Sequence, residues 1–212
     1  SLYLLLLHLI PLSAKNRIKH DIVSWSLPAQ ATIENQGVAY VDYLDLKPPG
    51  LILATQIWLT LFGSGYQYYL LLHTILLLTS MLGIVRIFYQ GFNKWTATWL
   101  SISSGIVFFS PLIQTQFVGS ELYGLAFTVL ALNLILPFKK VNKTKTFLAG
   151  VLFLLSGQMK EPYAFTFLAI LPTLTYYFFS KKNKFRRYTA SFTAGTSIGL
   201  LIIVSYLLYN GN

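Results

Sequence analysis

Long apolar runs separated by short clusters of basic residues make up most of this chain. The runs that have the length of membrane-spanning helices are residues 66–88, 95–112, 119–137, 144–159, 162–179 and 188–209. An α-helix of about 20 apolar residues crosses the ~30 Å hydrocarbon layer of a bilayer. The pattern therefore predicts a membrane-spanning helix in each of these runs.

Residues 2–12 form a shorter apolar run at the very start of the sequence, which opens on Ser1 without an initiator methionine. This run is too short to cross a bilayer, so we interpret it as a truncated first span, which brings the total to about seven. An apolar signal-peptide region ending near Ser13 and Ala14 is the alternative, because such regions are about 7 to 15 residues long.

Residues 51–62 form a second short run, with a length typical of interfacial or re-entrant helices. Gln56 and Thr60 lie one helical turn apart and give it a polar stripe, while Trp58 suits a headgroup boundary. We expect this helix to lie on the outer leaflet, within a first outer loop of residues 13–65.

Composition supports a bilayer as the surroundings of the chain. Hydrophobic residues make up 55% of the 212 positions and charged residues 10%, too few to cover a soluble globule of this size. The absence of cysteine excludes disulfides, a thiolate nucleophile and cysteine metal ligands. The sequence thus predicts one all-α membrane domain over residues 1–212, a polytopic transmembrane helix bundle with interfacial helices in its first extracytoplasmic loop.

The basic residues favour one side of the predicted bundle. With 51–62 on the surface, three loops on one side share 11 of the 16 basic residues: Arg86, Lys94, Lys139, Lys140, Lys143, Lys145, Lys181, Lys182, Lys184, Arg186 and Arg187. The positive-inside rule assigns that side to the cytoplasm. If 51–62 instead crossed the membrane, residues 13–49 would move to the cytoplasm.

The acidic residues all fall on the opposite, extracytoplasmic side, and they are Asp21, Glu34, Asp42, Asp45, Glu121 and Glu161. We therefore expect a multi-pass cell-membrane protein whose chemistry lies on the outer face. The net charge of +10 does not indicate a nucleic-acid partner, because the bases lie in short clusters between apolar runs rather than along one soluble face.

One segment is unusually dense in charge for this chain. It runs Tyr40-Val41-Asp42-Tyr43-Leu44-Asp45-Leu46-Lys47-Pro48-Pro49-Gly50. The proline pair fixes φ at two positions and disfavours helix at the preceding lysine, so the backbone is expected to be extended at the membrane surface. The block resembles the Tyr-x-Asp-x-x-Asp-x-Lys-Pro-Pro signature of the GT-C superfamily of polyprenyl-phosphate-sugar-dependent glycosyltransferases, such as protein O-mannosyltransferases and lipid A aminoarabinose transferases.

The resemblance implies roles for residues along the chain. Asp21 lies close to the family's first-loop aspartate, regarded as the catalytic base, although the family often has Asp-Glu where this chain has Asp21-Ile22. Glu121 resembles its second acidic position and is the second catalytic candidate, and Lys160 resembles a lysine near the donor phosphate. Lys47, Asp42 and Asp45 are implied as further substrate contacts. The implied activity is transfer of a sugar from a polyprenyl- or dolichyl-phosphate donor to a protein, lipid or glycan, with inversion at the sugar carbon. Family members have more spans, so the resemblance also implies that this is an N-terminal part, and whether that part is active alone stays open.

Other interpretations remain open for the same residues. Asp21 suits a solvated loop or a helix cap, Asp42 and Asp45 suit local turn hydrogen bonds, and Lys47 and Lys160 suit snorkelling anchors. Glu121 is predicted to lie at the edge of the hydrocarbon layer. Placing an ionisable group there costs free energy, which favours a functional role for this residue. No cofactor is indicated; His20 beside Asp21 is a weak metal candidate, and assistance by a divalent metal stays open. A transporter or flippase for a lipid-linked substrate is the alternative function, and a non-catalytic membrane scaffold is a third.

Overall fold

The structure, a computed structural model, describes residues 25–34, 37, 48–63, 66–109, 120–136, 142–160, 162–163 and 182–210. Throughout these ranges the regular elements are helices, and no strand is found in them. They are α1 (25–33), α2 (Pro49–Phe62), α3 (Tyr66–Gly91), α4 (Lys94–Phe109), α5 (Ser120–Ile135), α6 (Lys143–Met159) and α7 (Lys182–Asn210). The all-α prediction is confirmed for this part of the chain.

The helices differ from the predicted apolar runs mainly at their ends. α7 begins at Lys182, before the predicted run, because basic residues are good helix formers and do not end a helix where hydrophobicity ends. α3 continues to Gly91, because Tyr89 and Gln90 do not break a helix. α1 lies inside the predicted first loop, where the pattern predicts no helix before residue 51. The predicted spans 2–12 and 162–179 lie outside the described residues, except for the first two positions of the latter.

Five helices pack in a row whose order is α4, α3, α5, α6 and α7, and α2 contacts α6 and α7. α3 and α5 run parallel, since His73 lies edge-on to Tyr123 near the start of both and Asn133 donates a 3.0 Å hydrogen bond to the Gly83 carbonyl further along. α6 runs antiparallel to α5. α7 runs parallel to α6, because Ser191 donates to the Lys143 carbonyl at the start of α6 and Gly199 lies against Leu154 further along both helices.

These directions define two ends of the bundle. At the Glu121 end, α3 and α5 begin while α4, α6 and α7 end; at the Lys94 end, the opposite termini meet. Arg86, Lys94, Lys143, Lys145 and Arg187 lie at the Lys94 end, whereas Lys160 lies at the Glu121 end. The described members of the three basic clusters therefore lie at one end of the bundle, as expected, and the assignment of that end to the cytoplasm stays a prediction.

Among the described helices, two are long and apolar enough to cross a membrane, over Leu71–Gly91 and Arg187–Tyr209. Only 17% and 28% of their most apolar windows are buried, whereas the core helix of a soluble protein is mostly buried. α2 and α5 are apolar but shorter. Membrane association is thus supported weakly, by two helices whose apolar surface is largely uncovered.

Small residues bring α6 and α7 together. A Cβ added to Gly195 would collide with the Phe147 carbonyl, and one added to Gly150 would collide with the Phe192 carbonyl. Gly199 also faces α6, at Leu154. The small-xxx-small pair of Gly195 and Gly199 thus lets α6 approach α7 closely.

We expect Gly195→Ala to destabilise the protein by about 1–3 kcal/mol, because the methyl group has no room between two backbones. Gly105→Ala on α4 is the matched control: nothing lies within 4 Å of its added Cβ, and alanine there favours the helix by up to about 1 kcal/mol. Thermal unfolding of the two variants in detergent measures both effects. Equal melting temperatures would contradict the close α6–α7 contact.

Candidate functional site

The proline pair of the charged segment begins α2, and the glycine that follows it packs against α6. Pro48 is extended (φ −60°, ψ 142°), and Pro49 occupies the first helical position, which needs no backbone N–H. A Cβ on Gly50 would lie 2.6 Å from Gln158 Cβ and 2.8 Å from the Gln158 carbonyl oxygen. Only glycine allows this approach, so the end of the motif lies against the last turn of α6.

Two of the predicted site residues meet in an ion pair beside that contact. Lys160 directly follows α6, and its Nζ lies 3.2 Å from Oε1 of Glu121 in the first turn of α5. Each charge also suits its helix terminus, the carboxylate at an N-terminus and the ammonium at a C-terminus. The side chains are 26% and 38% exposed, so the pair contributes only about 0–1 kcal/mol and is open to other polar partners.

Buried hydrogen bonds hold the two helices together next to this pair. The Ser156 hydroxyl donates to the Gly124 carbonyl at 2.8 Å and shares a 2.6 Å hydrogen bond with the Thr128 hydroxyl. Gly124 has no room for a side chain because the ring of Tyr163 covers it. The relative position of Glu121 and Lys160 is therefore fixed by packing rather than by their own attraction.

A buried apolar cluster supports the same end of the bundle. Trp25 and Ala29 of α1, Leu51 and Ile52 of α2, and Met159 of α6 belong to it. The cluster also includes Leu59, Leu72, Tyr123 and Tyr206. His73 is buried against the Tyr123 ring, with 5.8 Å between the ring centroids.

A groove of about 410 Å³ opens between α1, α2 and the end of α7. Its walls are mainly aliphatic and aromatic, with a few amide and hydroxyl groups: Thr32, Ile33, Leu53, Gln56, Ile57, Thr60, Leu61, Tyr206 and Tyr209. Trp58 holds α2 in place here by donating to the Tyr68 carbonyl at 3.1 Å. The groove can take a slender, mostly apolar ligand at the Glu121 end.

The remaining predicted site residues, Asp21, Asp42, Asp45 and Lys47, lie outside the described residues. Sequence reasoning missed the positioning roles of Gly50, Gln158 and Ser156. A glycine directly after two prolines was the one local signal for the α2–α6 contact. In the described part of the chain, no group of three or more His, Cys, Asp or Glu side chains could hold a metal ion.

Comparisons of the chain with known protein families, with curated proteins and with solved structures give no match. The GT-C resemblance therefore stands on its motif residues alone.

Proposed function

We propose that this chain is part of a membrane glycosyltransferase that moves a sugar from a polyprenyl- or dolichyl-phosphate donor to an acceptor on the extracytoplasmic face. The observation that carries the proposal is the Glu121–Lys160 pair beside the docked Pro48–Gly50 segment. Two separate parts of the sequence that carry the resemblance thus lie at one end of the bundle.

The location suits a lipid-linked donor. A polyprenyl chain is too apolar to leave the bilayer, so its phosphate must be handled at the membrane boundary. The groove along α2, with a volume of about 410 Å³, has room for a short segment of such a chain and lies at the same end as Lys160. Lys160 then supplies a cation at that boundary, and Lys47, one residue before the docked segment, supplies a second.

The reaction needs a base and a stabilised leaving group. Asp21 takes the proton from the acceptor hydroxyl, the acceptor oxygen forms a bond to the anomeric carbon, and the bond from that carbon to the phosphate oxygen breaks. The electron pair leaves with the polyprenyl phosphate, whose charge Lys47 and Lys160 stabilise. Attack from the side opposite the leaving group inverts the configuration at the anomeric carbon. Glu121 positions Lys160 through their ion pair, and Asp42 and Asp45 are further substrate contacts.

The proposal includes a multi-pass topology in the cell membrane, with the Glu121 end outside. It is supported by the uncovered apolar faces of α3 and α7 and by the collection of bases at the Lys94 end. Membranes from cells that express the full-length protein, given a labelled polyprenyl-phosphate sugar, test the activity. Transfer releases one polyprenyl phosphate for each sugar moved, whereas a transporter would move the donor unchanged.

Sidedness can be tested with single cysteines because the chain has none of its own. Glu34, exposed at the end of α1, is expected to lie outside, so Glu34→Cys should react with an impermeant thiol reagent in intact cells. Lys94→Cys, exposed at the other end of the bundle, is the matched control and should react only after the cells are opened. Protection at position 34 with labelling at position 94 would reverse the proposed orientation.

A further inference from the structure

The turn between α3 and α4 is a rigid hairpin at the Lys94 end. Asn93 caps α4 by accepting a 3.0 Å hydrogen bond from the Thr96 N–H. One turn further from the connection, the Tyr89 hydroxyl and the Thr98 hydroxyl are joined at 2.8 Å. The hairpin therefore presents its side chains on a fixed surface.

Cations and indole rings share this surface. Arg86 and Lys94 are both exposed, and Trp95 and Trp99 are 77% and 65% exposed. Large aromatic side chains are rarely left so open on a soluble protein, but tryptophan is enriched at the headgroup level of membranes. The surface thus combines positive charge with the side chain most typical of a bilayer boundary.

The guanidinium of Arg86 is oriented by a neighbour. With the Gln90 amide turned so that its nitrogen donates to the Leu136 carbonyl at 3.2 Å, its oxygen accepts from Arg86 Nε at 3.0 Å. That contact links the hairpin to the end of α5 and fixes the plane of the guanidinium. A fixed guanidinium plane suits bidentate binding of a phosphate.

The spacing of these residues matches a headgroup layer. Arg86 precedes the end of α3 by five residues and Trp99 follows the start of α4 by five, so each lies about 8 Å from the turn. A bilayer of about 40–45 Å with a ~30 Å hydrocarbon core leaves a polar layer of about 5–8 Å on each side. Beyond Trp99 the large exposed side chains of α4 are apolar, at Ile102, Ile106 and Val107, and Ser103 is the exposed polar residue among them.

We propose that the α3–α4 hairpin binds the headgroup of an anionic phospholipid in the leaflet at the Lys94 end. Arg86 and Lys94 contact its phosphate and Trp95 and Trp99 flank it, while the apolar face that follows excludes a nucleic acid or an acidic protein in that position. The sequence has no acidic residue between positions 46 and 120 to oppose such a ligand. The inference rests on the proposed membrane embedding but not on the proposed sugar transfer.

The test uses the full chain purified in detergent, titrated with dioleoylphosphatidylglycerol or dioleoylphosphatidylcholine and followed by native mass spectrometry. The anionic lipid should bind more tightly. Arg86→Gln with Lys94→Gln should lower its affinity about 25-fold, at about fivefold for each lost charge, and leave phosphatidylcholine unaffected. Lys143→Gln with Lys145→Gln removes two charges from the same end but away from the tryptophans, and should have a much smaller effect.

If both double variants lost the same affinity for phosphatidylglycerol, the hairpin site would be overturned, and general electrostatic attraction to the basic end of the bundle would explain the binding. A second measurement uses the unaltered chain in two kinds of nanodisc. In one, the phosphatidylglycerol is brominated and the phosphatidylcholine is not; in the other, the phosphatidylcholine is brominated and the phosphatidylglycerol is not. Tryptophan fluorescence should be quenched more, at equal bromine content, when the anionic lipid is brominated. Equal quenching would also overturn the proposal.

Discussion

The Asp21→Asn variant of the full-length protein is expected to transfer labelled sugar about 10²- to 10⁴-fold more slowly than the unaltered protein, the range that general-base catalysis contributes. Asparagine keeps the size of aspartate but cannot accept the proton of the acceptor hydroxyl. Because the substitution removes no apolar contact, expression in membranes should be unchanged. Initial rates at saturating donor, normalised to protein in the membrane, measure the effect.

Glu34→Gln is the matched control for Asp21→Asn. Glu34 is another acid of the predicted first loop, and its carboxylate is exposed and accepts a 2.8 Å hydrogen bond from Gln30. A glutamine at this position can accept the same bond, so transfer should stay at the level of the unaltered protein. Full activity in the Asp21→Asn variant would remove Asp21 as the base, and equal losses in both variants would point to loop structure instead.

Apolar run length predicted the positions of the helices well where a strong stop signal bounds the run. α6, at Lys143–Met159, differs by one residue from the predicted 144–159, since Asn142 caps its start and accepts from the Lys145 N–H at 2.8 Å. α3 instead runs past the predicted boundary, because nothing near Arg86 breaks a helix before Gly91 and Asn93. Hydrophobicity locates a helix, whereas caps and glycines set its ends.

The shared side of the basic clusters was predictable for a different reason. The number of predicted membrane crossings between two loops determines whether they lie on the same side. This count needs no knowledge of which helices are in contact. α6 and α7 illustrate this, because they run parallel as the count requires. The count cannot say which helices are neighbours, and the contact of α3 with both α4 and α5 appears only in the fold.

The candidate site was predictable as a set of residue types but not as a geometry. The motif resemblance singled out Glu121 and Lys160 separately. Their 3.2 Å pairing depends on the antiparallel contact of α5 with α6, which small groups at Gly124 and Ser156 allow. The contact of Gly50 with Gln158 is likewise a tertiary approach, for which the local sequence gives only the glycine.

Lys160→Gln is expected to reduce kcat/KM for the lipid-linked donor about 10- to 100-fold, the loss of one charge-assisted contact to phosphate, mainly through a higher KM. Glu121→Gln should instead strengthen donor binding, because it removes the carboxylate that pairs with Lys160, and the donor KM should therefore fall. Its kcat should also fall, because Lys160 is then less well held in position. Lys160→Arg keeps the charge and should retain more activity than Lys160→Gln. Donor titrations of initial rates in membranes separate the two parameters.

A purely structural ion pair predicts a different pattern. Lys160→Gln and Glu121→Gln would then have equal effects, and the double variant would be no worse than either single one, since each removes the same contact. Thermal unfolding provides the control, because a partly exposed pair contributes only about 0–1 kcal/mol and no variant should melt much earlier. Lys145→Gln at the opposite end should leave both parameters unchanged. Opposite shifts in donor KM from the two single variants would distinguish a lysine that binds phosphate from one that only joins two helices.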